Sequence, residues 1–355
     1  MTGSLLRQKR FWLTACLGLF MLFETVRRAD LKNLLANVQN IDPLWGTAAV
    51  AASALSYLSI AAVLHCLLTG MGFSFRFMVS SRIAFVSATI NYVMAIGGLS
   101  GMAVKVYLLS REKVPASNTL SISIIHGFLT NTVAVIFVYL GFFYLYSEYK
   151  LSRRQIEVGI AILLVAFVLT WGTIQIIVNR SFRLSGWRII RRLLSGVAAR
   201  FPNARWRQLG RADSFFNNFN ESMTLVVGSG RSLLAPALFA LLDWLTMFLC
   251  LKFSFMAIHY PLEDRVLMVG FSVGIFSGLF SITPVSIGIM EGSMAGAFYL
   301  MGLDYDRALM ATLIYRATYF FLPLLLSLFF FQHFFVSREQ PEPERAPPQP
   351  SRLEK

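Results

Sequence analysis

Apolar positions along this chain fall into long, nearly unbroken blocks at 44–70, 120–146, 156–178, 233–258 and 308–336, with a shorter block at 11–26. A helix needs about 20 mostly apolar residues to cross the hydrocarbon core of a bilayer, so the pattern predicts about six spans. The first block ends in Glu24-Thr25 and follows Arg7, Lys9 and Arg10. No Ala-x-Ala-like cleavage site comes after it, so an uncleaved span is expected rather than a signal peptide.

Two other apolar blocks, 83–109 and 266–302, are interrupted. One carries Ile96-Gly97-Gly98-Leu99-Ser100-Gly101 ahead of Lys105, and the other carries Thr283-Pro284-Val285-Ser286-Ile287-Gly288 ahead of Glu291. Lipid offers no hydrogen bonds to a broken backbone, so such breaks survive at membrane depth only beside protein or an aqueous cavity. Paired interruptions in the two halves of a membrane chain point to a transport site.

Orientation follows from the Lys/Arg bias of the loops. With the basic N-terminus in the cytoplasm, block 83–109 is flanked at both ends by basic residues (Arg76 and Arg82, then Arg111 and Lys113), as a re-entrant hairpin from inside would be. The second broken block runs from Glu263-Asp264 to Asp304-Tyr305-Asp306 and would enter from outside. The turn with Lys150, Arg153 and Arg154 fits this scheme least well, because it falls outside. The expected fold is all-α: a polytopic integral membrane protein of about six full spans plus two re-entrant broken-helix hairpins. Eight full spans are the alternative. Entry from opposite faces suggests an inverted repeat in topology, with no repeat at the level of residues.

Composition agrees: 56% of residues are hydrophobic and 14% charged, with mean hydropathy +0.62, against about 25% charged in a soluble domain. A formal net charge of +14 would suggest nucleic acid in a soluble protein, yet no nucleic-acid-binding motif accompanies it. Ten arginines instead crowd the connector 179–231, against Asp213 and Glu221. That marks the cytoplasmic side and attraction to anionic headgroups. Its interleaved apolar residues, Trp187, Ile189, Ile190, Leu193 and Leu194, then Phe215, Phe216 and Phe219, fit an interfacial amphipathic helix. The Pro-rich stretch 337–355 reads as a disordered cytoplasmic tail, which leaves 1–336 as the transmembrane domain. Cys16, Cys66 and Cys250 lie in apolar blocks and the four histidines are scattered, giving no disulfide framework, metal spacing or cofactor site. No nucleophile–base arrangement or phosphate-binding loop is present either, so no enzyme is expected.

Ionisable residues within the blocks are the functional candidates. Lys105 suits a phosphate or carboxylate; the plainer alternative is a lysine snorkelling toward Arg111. Glu291 stands at the start of a half-helix, where the dipole stabilises a carboxylate by about 0.3–1 kcal/mol, and Arg316 in the last span needs a partner. A structural Glu291–Arg316 bridge and a substrate-linked pair are both open. Asp243 lies mid-span with no local counter-charge. Glu24, Lys252 and His65 have weaker claims, and Asn91, His126 and Asn131 suit interhelical hydrogen bonding.

Three motifs resemble the lysylphosphatidylglycerol synthase transmembrane (flippase-like) family, the membrane half of bacterial multiple peptide resistance factors. They are Gly97-Gly98-x-x-Gly101-x-x-x-Lys105-x-Tyr107-Leu108-Leu109, Pro284-x-x-x-Gly288-x-x-Glu291-Gly292, and Tyr315-Arg316 followed by Pro323. The family more often has arginine at position 105, Pro-Gly-Gly at 284–286 and a basic residue at 290. The aminoacyl-transfer domain of full-length synthases is absent from this sequence. The resemblance implies translocation or binding of an anionic or aminoacylated phospholipid, or a related lipid-linked molecule, at the bacterial cytoplasmic membrane. A proton-coupled carrier of a small polar solute, working through Glu291 or Asp243, and a membrane scaffold for a separately encoded enzyme are the competing expectations.

Overall fold

A computed structural model describes residues 16, 19–27, 40–93, 99–149, 151–199, 206–228, 230–279, 283 and 286–327. Helix is the only regular structure among them. The elements are α1 (19–27), α2 (Pro43–Gly70), α3 (Phe77–Val93), α4 (Leu99–Arg111), α5 (Ala116–Glu148), α6 (Arg153–Val178), α7 (Arg180–Ala199), α8 (Trp206–Gly228), α9 (Gly230–Ala257), α10 (Asp264–Leu279), α11 (Ile289–Leu300) and α12 (Tyr305–Ser327). Five of these, α2, α5, α6, α9 and α12, are long and apolar enough to cross a membrane. The chain is an all-α polytopic membrane protein. Most of the first expected span, residues 328–336 of the last expected span and the tail lie outside the described residues.

Local signals set the helix starts. Asp42 accepts a hydrogen bond from the Leu44 N–H at 2.8 Å ahead of Pro43, Ser152 and Gln155 form a reciprocal box at the start of α6, and Asp304 caps α12 through the Arg307 N–H. Each satisfies donors that a helix start leaves orphaned.

The long helices α2 and α9 run antiparallel through the centre. At one end the Asp42 N–H donates to the Ala257 carbonyl at 2.8 Å, and at the other Gly70 lies against Ser232. Three contacts gather the loops at the Asp42 end: Arg265 pairs with Glu148 at 2.9 Å, Lys252 with Asp264 at 2.7 Å, and the Arg307 guanidinium stacks 5.0 Å over the Tyr260 ring. Arg153 and Arg154, at the start of α6, therefore lie at the same end as the acidic turn 261–264, as expected from the sequence, while Lys150 lies outside the described residues. The arginine-rich helices α7 and α8 take the opposite end.

Two helical hairpins enter this bundle from opposite ends. The α10–α11 register is plain: Gly270 lies against Phe298, Gly274 against Met294 and Gly278 beside Ser286. Its arms of 16 and 12 residues reach only about 24 and 18 Å at about 1.5 Å per residue, short of the roughly 30 Å hydrocarbon core. The α3–α4 hairpin enters from the arginine-rich end, and Gly101 is wedged against Asn91 and the Ser87 carbonyl. This hairpin starts at Phe77 rather than 83, so Arg82 is inside a helix and not in a loop as the sequence suggested. The geometry is that of two hairpins, not of eight full spans.

The spacing Gly270-x-x-x-Gly274-x-x-x-Gly278 went unread in the sequence, although small residues at this period let helices approach closely. Gly274→Leu should drive its side chain into Met294 and destabilise the fold by about 1–3 kcal/mol, measurable as earlier thermal unfolding in detergent. An unchanged melting curve would mean the hairpin arms are looser than this register.

The connector forms two packed amphipathic helices rather than one. Arg183 joins them to the bundle, donating to Asn220 at 2.7 Å, Thr224 at 3.2 Å and the Ile177 carbonyl at 2.6 Å. Trp187 stacks on Phe216 with centroids 4.7 Å apart and donates to Asp213 at 3.0 Å. Ile189, Ile190 and Leu193 stay exposed among arginines on α7.

Candidate functional site

The break in the last helix organises the centre of the molecule. Proline lacks a backbone N–H and clashes with the carbonyl four residues earlier, and Pro323 sits inside α12. The helix widens to a π turn over Ala317–Phe321, a feature frequent at functional sites. Pro323 has no N–H to give either the Tyr319 carbonyl, its α-helical partner, or the Thr318 carbonyl, its π-helical partner. Hydroxyls from α2 fill the gap: Ser53 donates to Thr318 at 3.0 Å and Tyr57 to Tyr319 at 3.3 Å. One proline thereby fixes the register between α2 and α12.

The tip of the second hairpin docks just before this turn. Gly288 takes φ +79° and Ser286 φ +56°, the left-handed backbone that lets the chain reverse into α11. Glu291, one turn into α11, accepts from the Gly288 N–H at 2.8 Å through one oxygen and from Arg316 Nε at 2.7 Å through the other. Both charged groups are almost fully enclosed, at 1% and 0% exposure. Arg316 also reaches Met290 Sδ at 3.4 Å and lies 4.0 Å over the Phe320 ring. The two residues do form an ion pair, one of the two readings the sequence left open, and it ties hairpin to span.

The first hairpin reaches the same turn from the opposite side. Tyr92, at the end of α3, packs 4.6 Å from Phe320 between centroids, and its hydroxyl lies 3.4 Å from that of Tyr319. Tyr319 lies 3.2 Å from Ser56, which donates to the carboxylate of Asp243. Asp243 is buried and makes no ion pair among the described residues. Tyr315 stacks on Tyr319, its hydroxyl buried with no hydrogen-bond partner among the described residues. Glu291, Arg316, Tyr315, Asp243 and Gly288 thus gather around one turn of α12.

Lys105 stands apart from this cluster. It is half-buried on α4, makes no ion pair or hydrogen bond among the described residues, and lies close enough to His126 on α5 for their charges to interact. His126 is buried, its Nδ1 without a hydrogen-bond partner among the described residues. Gly101 shapes the same hairpin, while Gly97, Gly98 and Pro284 lie outside the described residues.

Crevices flank α11 on both sides. One of about 940 Å³ lies between α5, α6, α10 and α11, walled mostly by apolar side chains, with Ser152, Arg154 and Gln155 among them. The other, about 780 Å³, is bounded by α1 and the start of α12 and carries Glu24, Thr25 and Asp306. Gly292, Ser293 and Gly296 line both, so α11 is a thin wall with Glu291 at its foot.

Residues 11–327 match the family described as the lysylphosphatidylglycerol synthase TM region. The chain belongs to that family. It is also similar to a UPF0104 membrane protein of Methanothermobacter thermautotrophicus, 25% identical over 114 residues, a stretch that covers 32% of each chain. The match spans about a third of that relative's length. In this member of the lysylphosphatidylglycerol synthase TM family, two of the three sequence motifs meet directly, through Glu291 of the second hairpin and Arg316; the first hairpin reaches them through Tyr92, which lies outside its motif. Sequence reasoning missed Tyr92, Ser56 and Tyr319. Pro323 was the one legible sign of them, since it frees the carbonyls that anchor the turn.

Proposed function

We propose that this chain moves a phospholipid with an anionic or aminoacylated headgroup, or a related lipid-linked molecule, between leaflets along the crevices beside α11. The observation that carries this reading is the pair of crevices on either face of one short, glycine-lined half-helix, one walled mostly by apolar side chains with Ser152, Arg154 and Gln155 among them, the other carrying Glu24, Thr25 and Asp306. Such walls suit a lipid: chains along the apolar side chains, headgroup at the polar ones. A small polar solute would find little to hold it on such walls. Arg154 suits a phosphate, and the carboxylates Glu24 and Asp306 suit a cationic headgroup. Lys105 offers a second point of positive charge on the hairpin from the other end. The reading assigns the chain transport and no bond-breaking chemistry.

By the positive-inside rule, the α7–α8 end faces the cytoplasm of a bacterial cell membrane, with both termini on that side. The exposed isoleucines and arginines of α7 suit contact with anionic lipid at that surface. Purified protein in liposomes should dissipate the leaflet asymmetry of labelled phosphatidylglycerol or its lysyl ester faster than protein-free liposomes do. No acceleration across a panel of anionic, zwitterionic and aminoacylated lipids would sink the reading. Lipid-independent uptake of a small solute would replace it.

A further inference from the structure

Resting on the lipid-moving reading above, we infer that Asp243 is a proton-binding site that couples the first hairpin to a transmembrane proton gradient, through a relay of hydroxyls ending at Tyr92. Asp243 lies at the middle of α9, 13 residues after Gly230 and 14 before Ala257. A carboxylate at that depth is costly without a partner, and among the described residues the polar contact of this carboxylate is the hydroxyl of Ser56. A structural role alone would be served better by asparagine or serine.

The contact opens a path. From Ser56 the next hydroxyl is Tyr319, and from Tyr319 it is Tyr92, at 3.2 and 3.4 Å. Each hydroxyl both donates and accepts, so a proton arriving at Tyr92 is passed on as each O–H gives its own proton to the next oxygen. An O–H bond forms on the Asp243 carboxylate, and the reverse sequence returns the proton to water. Nothing is oxidised or reduced. Tyr92 is half-buried at the last described turn of α3, where the first hairpin breaks.

The titratable groups facing Asp243 are Tyr57 on α2, Tyr92 on α3, and Tyr315 and Tyr319 on α12. The cation of the cluster, Arg316, is held by Glu291. From α5 the approach is apolar, through Phe137 against Trp244. The charged carboxylate draws Ser56 and Tyr319 toward itself, and the neutral acid releases them to Tyr92. The hairpin contact thereby differs between the two protonation states.

The test uses the full chain in liposomes with labelled phosphatidylglycerol and an imposed pH gradient. The wild type should drive lipid toward one leaflet, about tenfold per pH unit if one proton accompanies each lipid. Asp243→Asn should bring the ratio of forward to reverse movement to one, and Tyr319→Phe should weaken the response. A wild type that moves lipid but ignores the gradient would overturn the inference, as would Asp243→Asn with the gradient response intact. Infrared titration of the detergent-solubilised protein reads the site without lipid: a protonated carboxyl band should be present in the wild type and missing in Asp243→Asn. If the wild type moves no lipid the transport reading falls, and the infrared band alone decides whether Asp243 holds a proton. Its presence in both proteins would overturn the assignment.

Discussion

Arg316→Met should cost about 3–5 kcal/mol of stability, the usual penalty for leaving one member of a buried ion pair uncompensated. Glu291 would remain enclosed with one oxygen on the Gly288 N–H and the other facing the space the guanidinium vacated. Thermal unfolding in detergent measures the loss. The informative variant is the double one, Glu291→Gln with Arg316→Met. Glutamine keeps an acceptor for the Gly288 N–H, no charge is left behind, and methionine fills much of the space over Phe320. Stability should return to near wild type, since well-packed replacements of buried pairs are often neutral or better. Lipid movement should not return. The bridge joins the tip of a hairpin whose backbone is broken to a helix carrying a π turn, and a pair serving stability alone would need neither break. A double variant with full lipid-moving activity would reduce Glu291 to a helix cap with a structural partner.

What could be read from the sequence divides by the range of the signal. The spans at 44–70, 120–146, 156–178 and 233–258 match α2, α5, α6 and α9 to within a few residues, because length and apolarity are local properties that a bilayer selects directly. The two breaks were visible for the same reason, since Gly and Pro act on their own backbone. Glu291 and Arg316, 25 residues apart, stood out as charges at depth, and a bridge between them was one of two open readings. The Ser56–Asp243 and Ser56–Tyr319 contacts join residues 187 and 263 positions apart. Nothing in a single sequence ties a serine in an apolar span to a tyrosine that far away. The glycine stripe of α10 needed knowledge of which helix lay against it. The arginine connector read correctly as amphipathic, yet its division into α7 and α8 depends on Arg183 and Trp187 finding partners on the second helix. Local patterning gave the elements, and packing between distant elements made the site.

Lys105→Met is expected to raise stability while impairing function, and the opposite signs make it diagnostic. An ammonium facing lipid at mid-depth costs about 2.5–3.5 kcal/mol on insertion scales. Lys105 is half-buried against protein rather than open to lipid, so the gain from its removal should be smaller, about 1 kcal/mol. It has no ion pair or hydrogen bond among the described residues to lose, and its neighbour His126 offers it no countercharge. Methionine is close in length and lets the α4–α5 packing stand. A residue that weakens the fold and finds no partner within it fits a group kept for something that arrives from outside. Movement of anionic lipid should accordingly fall at least about tenfold, the loss of about 1.4 kcal/mol in the rate-limiting step. Lys105→Arg, which retains the charge and matches the residue more common in the family, should keep most of the rate. Full activity in the methionine variant would mark Lys105 as a lysine snorkelling toward the surface. A variant that is both less stable and less active would show that the side chain has a packing role, and the phosphate contact would then have to come from Arg154.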